Sequence, residues 1–179
     1  VNLVSNAIKF TEAGEVVASV ALEKLEGGRE FSYADWNLDP SDAQQLLKAA
    51  NRKLGVRYRP APLELATFSF DPDEIPVLYL SGKRGPAFDE ATRKKLRGYL
   101  ENGGTLWADA CAGSQAFIDA MRREFGAIFP DRPLVRLPPD HPLFRCAFPI
   151  EKVRYSPAAT ERADGIPYLE AIEIGCRAA

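Results

Sequence analysis

The feature of this sequence that most constrains its fold is a pair of short apolar runs separated by one clearly marked helix. The runs are Val77–Leu80 and Thr105–Ala108, and each is typical of a strand buried on both faces of a parallel sheet. Between them, Asp89 suits the N-cap of a helix and Asn102–Gly104 suits its end. Because a helix of about a dozen residues matches a right-handed crossover, the sequence predicts two adjacent parallel strands joined by that helix.

A second helix is indicated upstream of the first apolar run. Asp39 suits its N-cap and Pro40 suits its first position. Apolar residues at helical spacing then run from Ala43 to Leu54, and Gly55 is expected to end the helix in a left-handed conformation. This pattern predicts an amphipathic helix that packs on the sheet through one face.

A third helix is expected directly after the second apolar run. Ser114 suits its N-cap, and Gly126 is expected just beyond its end. One face of this helix is expected to contain Phe117, Ile118, Met121 and Phe125. Further short strands are expected within Leu63–Phe70, Val153–Tyr155 and Tyr168–Ile174. Helices that alternate with short strands predict an α/β domain with a mostly parallel sheet.

Composition and charge narrow the possible function classes. The chain has 179 residues, of which 46% are hydrophobic and 27% are charged, as is typical of one globular domain. The net charge of −2 argues against nucleic acid as a partner, and no apolar run approaches the roughly 18 residues of a membrane span. Three widely spaced cysteines and a single histidine predict no metal site, and no cofactor is expected. Reduced thiols favour a cytoplasmic location as the default.

The first 28 residues predict a unit that is separate from the rest of the chain. Residues 1–10 have the apolar spacing of a helix, and the valine-rich segment Val16–Leu22 predicts a strand. A break follows at Glu26–Arg29, which we interpret as a boundary between two units. We expect both ends of the chain to be cut from a longer protein.

The segment Asn2–Thr11 resembles the N-box of the ATP-binding domain of sensor histidine kinases. In that family the residue matching Asn6 helps to hold Mg²⁺, and the residue matching Lys9 approaches phosphate. The resemblance therefore implies that these two side chains are the remains of a nucleotide site. The glycine-rich boxes that would hold the adenine do not follow in this chain. We expect residues 1–28 to be an incomplete, peripheral helix–strand fragment that has few contacts with the rest and does not bind ATP.

Four later segments resemble the bacterial domain of unknown function family 4159. They are Asp71–Gly82, Leu96–Asp109, Pro138–Phe144 and Leu169–Gly175, and the resemblance covers about residues 30–176. That family is similar in fold to class I glutamine amidotransferases. The resemblance implies a three-layer, flavodoxin-like domain over residues 30–179, truncated at its C-terminus. It implies no activity, because the family has none assigned.

Cys111 is the most suggestive candidate for chemistry. It follows a predicted strand and precedes a capped helix, where amidotransferases of this fold place their nucleophile and where a helix N-terminus favours a thiolate. Those enzymes have glycine two residues before the cysteine, whereas this chain has Asp109, whose carboxylate disfavours a thiolate. They also have glutamate two residues after the catalytic histidine, and His141 is followed by Pro142 and Leu143 instead.

The strand ends are nevertheless expected to form a binding crevice. The carboxyl ends of the two central strands should meet at one edge, and the proline-rich loop around His141 is expected to cover them. The expected ligand-binding residues are Ser81, Gly82, Lys83, Asp109 and Asp140. The favoured interpretation is a non-catalytic module that binds a small polar ligand or a protein partner. A hydrolase or amidotransferase that uses Cys111 and His141 is the alternative, and a histidine kinase fragment is the second alternative.

Overall fold

The computed structural model describes residues 20–21, 41–55, 57–61, 63–155 and 165–179 of the chain. The described helices are α1 (Asp42–Leu54), α2 (Glu90–Glu101) and α3 (Gln115–Ile128). The described strands are β1 (Val20–Ala21), β2 (Leu63–Glu64), β3 (Val77–Gly82), β4 (Thr105–Ala110), β5 (Val135–Arg136), β6 (Glu170–Ala171), β7 (Glu173–Ile174) and β8 (Arg177–Ala178). Short 3₁₀ turns lie at Cys111–Gly113 and Pro142–Arg145. None of the described helices is long and apolar enough to cross a membrane.

The expected β–α–β unit is confirmed as β3–α2–β4. The two strands pair in parallel, with Val77 opposite Thr105 and Gly82 opposite Ala110. Both strands extend two residues further than the apolar runs, so Asp109 lies within β4 rather than in a turn. The chain is therefore a mixed α/β protein built around a small parallel pair of strands.

The core lies on one face of this pair. Leu78 and Leu80 are completely buried in a cluster with side chains from α2 and α3, including Tyr99 and Phe117. The opposite face is more open, since Trp107 is 45% exposed. The expectation that both strands are buried on both faces is therefore wrong at the position of Trp107.

The helix ends follow local capping chemistry in most places. The Asp89 carboxylate accepts a hydrogen bond from the Thr92 amide at 2.7 Å, and the Ser114 hydroxyl oxygen accepts one from the Phe117 amide. Gly55 adopts the left-handed conformation that was expected at the end of α1, with φ of 69°. These three predictions are confirmed.

Two helix boundaries differ from the sequence prediction. Helix α1 begins at Asp42 with Ser41 at the N-cap, and the predicted cap at Asp39 and Pro40 lies outside the described residues. Helix α3 continues through Gly126 to Ile128. Ile128 is buried in the core, and its burial outweighs the weak helix propensity of one glycine.

Two arginines of α2 fix its packing against the segment that contains α3. The Arg93 guanidinium donates two hydrogen bonds to the Glu124 carboxylate, at 2.8 and 3.0 Å. Arg97 likewise donates two to Asp131, and this pairing lowers the pKa of the Asp131 carboxyl to about 2. Both pairs are bidentate, which is the strongest geometry for such contacts.

The N-terminal segment, which was expected to be a peripheral fragment, is described only at β1. Val20–Ala21 pairs in parallel with Leu63–Glu64, and β1 also contacts β3. These two residues therefore lie between β2 and β3, in contact with the central part of the domain. The predicted N-box residues Asn6 and Lys9 lie outside the described residues.

The C-terminal part forms two short antiparallel pairs in place of the strands that were expected there. β5 pairs with β6, and β7 pairs with β8. No strand forms at Val153–Tyr155 within the described residues. Arg177 of β8 donates hydrogen bonds to the carbonyl oxygens of Leu100 and Gly104, and so anchors the β7–β8 hairpin at the end of α2.

Candidate functional site

The parallel register brings several of the predicted ligand-binding residues to one edge. Ser81 lies opposite Asp109, and Gly82 lies opposite Ala110. Lys83 follows directly, and its carbonyl oxygen accepts a hydrogen bond from the Ser114 hydroxyl at 2.5 Å. The carboxyl ends of β3 and β4 and the start of α3 are therefore joined at this corner.

The corner is closely packed around Gly82. A Cβ atom at this glycine would lie 3.3 Å from the Arg84 carbonyl oxygen and 3.4 Å from the Phe117 ring. The Phe117 side chain therefore occupies the space beneath the strand ends. Such close packing does not favour the small polar ligand that the sequence predicted there.

Cys111 is half-buried at the start of the 3₁₀ turn that joins β4 to α3. Its carbonyl oxygen accepts a hydrogen bond from the Ser114 amide at 3.2 Å. The next residue, Ala112, has a φ of 52°, which is a strained conformation for a residue with a side chain. The strain belongs to the tight reversal that returns the chain into α3.

Asp109 faces the open side of the sheet. Its carboxylate accepts a hydrogen bond from the Tyr79 hydroxyl at 3.1 Å. Tyr79 in turn contacts Trp107 edge to face, with ring centroids 5.8 Å apart. Asp109 therefore extends the row of side chains on the face that carries the exposed indole.

His141 has a structural role in its own loop. Its Nδ1 accepts a hydrogen bond from the Leu143 amide at 3.1 Å and so caps the 3₁₀ turn Pro142–Arg145. Its Nε2 lies 3.8 Å from a carboxylate oxygen of Glu173, whereas Asp140, an expected ligand-binding residue, is exposed. The imidazole is held by the backbone and by the β7–β8 hairpin.

The described residues show no hydrogen bond between Cys111 and His141. Cys111 follows the carboxyl end of β4. His141 approaches Glu173, in the hairpin that Arg177 anchors to Leu100 and Gly104 just before β4 begins. His141 is therefore linked through the hairpin to the amino-terminal end of β4, whereas Cys111 follows its carboxyl end.

Replacing His141 with alanine should cost about 1 kcal/mol of unfolding free energy, because the Leu143 amide loses its capping acceptor. His141→Asn should retain most of the stability, because asparagine is also a good N-cap. Urea denaturation of the two variants measures the difference. If His141→Asn lost as much stability as His141→Ala, the imidazole would stabilise the fold through a contact other than this cap.

A cavity that the sequence did not predict lies beside Asp109. Its volume is about 830 Å³, and its wall is mostly apolar. The wall is formed by β4, the Val77 and Tyr79 positions of β3, the inner faces of α1 and α3, and parts of the segments 134–155 and 167–179. Of the expected site residues, only Asp109 lines it.

Two of the four charged side chains that line the cavity, Arg122 and Glu170, are paired with each other. Arg122 donates two hydrogen bonds to Glu170, at 3.0 and 2.8 Å, and the Tyr168 hydroxyl donates a third at 2.6 Å. Pairing with Glu170 raises the pKa of both Arg122 and Tyr168. The described residues contain no cluster of three or more histidine, cysteine or acidic side chains that would hold a metal ion.

One signal for the cavity was present in the sequence. Tyr79 is the third residue of the first apolar run, and Trp107 is the third residue of the second. Asp109 follows Trp107 by two positions, and alternate positions of a strand share a face of the sheet. Large amphipathic aromatic rings beside a carboxylate are typical of a face that is accessible to a ligand. The continuous apolar character of the two runs concealed this alternation.

Comparison with known proteins gives the family but no activity. No curated protein matches the chain significantly. A family model described as a domain of unknown function, DUF4159, matches residues 22–175, which is most of the chain and includes β3, β4 and most of the residues around the cavity. The match begins upstream of Glu30, where the resemblance was expected to start. The chain therefore belongs to the DUF4159 family of domains of unknown function.

Proposed function

We propose that this domain is a non-catalytic binding module of class I amidotransferase-like architecture that takes an apolar ligand in the cavity along β4. The observation that carries the proposal is the cavity itself, which has a volume of about 830 Å³ and a mostly apolar wall. Binding sites are typically concave, apolar and of this size, with a few polar groups that orient the ligand. Here Asp109 and the Tyr79 hydroxyl supply such groups.

The strand arrangement supports the flavodoxin-like part of the proposal. β1 pairs in parallel with β2 and contacts β3, and β3 pairs in parallel with β4. This gives a spatial order of β2, β1, β3 and β4, which agrees with the doubly wound order of flavodoxin-like sheets. In that order β1 belongs to the domain itself.

The geometry around Cys111 supports a role without catalysis. Nδ1 of His141 is engaged by the Leu143 amide, and Asp109 accepts from Tyr79. These contacts support a role in which neither residue acts on the thiol as a general base. An apolar ligand, rather than the small polar one predicted from the sequence, also matches the composition of the cavity wall.

Binding of the fluorescent probe anilinonaphthalene sulfonate tests this function. We expect saturable fluorescence enhancement by the folded protein, because the apolar wall shields the probe from water. Trp107→Ala should weaken probe binding severalfold, because Trp107 lines the cavity and is partly exposed. Phe148→Ala is the matched control, because Phe148 is an aromatic residue with 50% exposure that does not line the cavity.

Thermal melting of each variant should accompany the titration, so that loss of folding is distinguished from loss of binding. The Trp36→Phe variant leaves Trp107 as the single tryptophan, and energy transfer from its indole to the probe should persist there. Equal probe binding by the Trp107→Ala and Phe148→Ala variants would contradict the assignment of the cavity. Absence of saturable binding to the folded parent protein would contradict the proposed function itself.

A further inference from the structure

Three side chains on the open face of the sheet form what we call the aromatic–carboxylate row: Tyr79, Trp107 and Asp109. Tyr79 lies opposite Trp107 in the register of the two strands, and Asp109 follows Trp107 by two positions on the same face. The two rings are nearly perpendicular, at 86°, and the Tyr79 hydroxyl donates to Oδ2 of Asp109 at 3.1 Å. All three residues line the cavity.

The Asp109 carboxylate has no opposite charge beside it in the described part of the chain. Its hydrogen bond there comes from the neutral Tyr79 hydroxyl, whereas Arg122 and Glu170, which also line the cavity, are paired with each other. A carboxylate accepts several hydrogen bonds through its two oxygens. An apolar ligand that covered Asp109 without bringing a positive charge would strip water from an unpaired anion, which is costly. The carboxylate therefore favours an occupant that carries a cation.

The rings beside Asp109 favour a positive charge as well. The face of an aromatic ring carries negative partial charge and attracts ammonium groups, most strongly in tryptophan. Trp107 is 45% exposed and lines the cavity, so part of its indole is accessible. At about 3.3 Å per residue, positions 107 and 109 lie about 7 Å apart along the strand. One ammonium group bridges such a separation when it donates to the carboxylate and lies against the indole.

Arg154 is the fourth charged residue of the wall, and its charge favours an anion instead. It is exposed and lies outside the described helices and strands, so fixing its long side chain on a ligand costs conformational entropy. Asp109 lies on β4, and its carboxylate is already oriented by the Tyr79 hydroxyl. Groups held on rigid elements select ligands more effectively. We therefore expect Asp109, rather than Arg154, to set the charge of the ligand.

We propose that the aromatic–carboxylate row binds an organic ammonium ion, so that the ligand of the cavity is an amine with an apolar body. This inference rests on the proposed function and names the class of ligand. The ammonium group donates to the Asp109 carboxylate and contacts the Trp107 ring, and the apolar body lies along the rest of the wall. A metal ion matches the row less well, because the described residues contain no cluster of three or more metal-ligating side chains.

Three alkyl compounds of equal chain length test the charge preference: octylammonium, octanol and octanoate. Calorimetric titration of the protein measures the affinity for each. We expect octylammonium to bind about fivefold or more tightly than octanol, because the cation gains both the carboxylate and the indole. We expect octanoate to bind no more tightly than octanol.

Asp109→Asn provides the matching test on the protein side. Asparagine still accepts a hydrogen bond from Tyr79 but carries no charge, so octylammonium should bind about fivefold more weakly, as octanol does. Binding of octanol should not change. Asp73→Asn is the matched control, because Asp73 is an exposed carboxylate outside the cavity and its replacement changes the net charge equally. Thermal melting of each variant verifies that the fold is retained.

Trp107→Leu separates the ring from the carboxylate. Leucine keeps an apolar wall but has no aromatic face. We therefore expect this variant to lose more affinity for octylammonium than for octanol. Equal losses for the two compounds would contradict the contact between the ammonium group and the indole.

The remaining outcomes distinguish this inference from the proposed function. Equal binding of octylammonium and octanol, together with saturable binding of anilinonaphthalene sulfonate, would overturn the inference and leave the proposed function standing. Tightest binding of octanoate would also overturn it, because an anion would then be selected. A much lower melting temperature of Asp109→Asn with no change in octylammonium binding would show that Asp109 pairs within the chain itself, and would overturn it too. Failure of all three alkyl compounds and of anilinonaphthalene sulfonate would remove the proposed function as well.

Discussion

Replacing Tyr99 with alanine should lower the free energy of unfolding by about 3–5 kcal/mol, the usual cost of truncating a large buried aromatic residue. The side chain is only 1% exposed and packs edge to face against Phe68, with ring centroids 5.7 Å apart. Its hydroxyl donates to the Ile75 carbonyl oxygen at 2.9 Å and lies 3.3 Å from that of Thr105. One residue of α2 thus joins the starts of β3 and β4.

The hydroxyl and the ring contribute separately, and Tyr99→Phe distinguishes them. This variant keeps the ring but leaves the Ile75 carbonyl without its donor, so we expect a loss of about 1–2 kcal/mol. Burial raises the pKa of the Tyr99 phenol well above its ordinary value. The hydroxyl therefore stays protonated, and keeps donating, throughout the pH range in which the protein is studied. Urea denaturation of both variants measures the two losses.

Gly104 supplies an independent test of the same packing. A Cβ atom at Gly104 would lie within 2.4 Å of the Tyr99 ring, so Gly104→Ala should displace the ring and destabilise the fold. Gly98→Ala is the matched control, because Gly98 lies in α2 with nothing within 4 Å of its Cβ position. That control should be neutral or stabilising, by up to about 1 kcal/mol. Similar effects from the two alanines would contradict the role given to Tyr99.

The central part of the fold was predictable because its signals are local. Asp89 and Ser114 cap their helices through bonds to amides three residues away, and such bonds depend on little besides the local sequence. The placement of Val20–Ala21 between β2 and β3 depends instead on pairing with residues more than forty positions away. The resemblance of the preceding segment to an N-box indicated a separate fragment, and no local pattern predicts the contact of β1 with β3.

The candidate site was predictable only where it depends on the register of β3 and β4. Once the two strands are adjacent, Ser81 and Asp109 must lie side by side, as they do. The position of His141 depends on the hairpin that carries Glu173, which docks through Arg177 at the far end of the sequence. The cavity depends on an edge of β4 that no described strand covers, and this is a property of the tertiary fold.

Replacing Arg93 with alanine is expected to have the second large effect, a loss of about 2–3 kcal/mol of unfolding free energy. The Glu124 carboxylate is only 5% exposed, and both of its oxygens accept hydrogen bonds from Arg93. Removal of the arginine leaves a buried carboxylate without a partner, which commonly costs about 3–5 kcal/mol. The expected loss is smaller here, because the Arg93 side chain is itself 33% exposed and water can enter the space that it leaves.

The double variant Arg93→Leu with Glu124→Leu separates the cost of an unpaired charge from the strength of the pair. A buried ion pair replaced by apolar residues of similar volume is often neutral in stability. We therefore expect the double variant to be more stable than Arg93→Ala and close to the parent protein. Arg123→Ala, at an exposed position of α3, is the control and should change stability by less than about 0.5 kcal/mol. If the double variant lost as much stability as the single one, the α2–α3 contact would depend on the attraction between the two charges, and not on the need to satisfy Glu124.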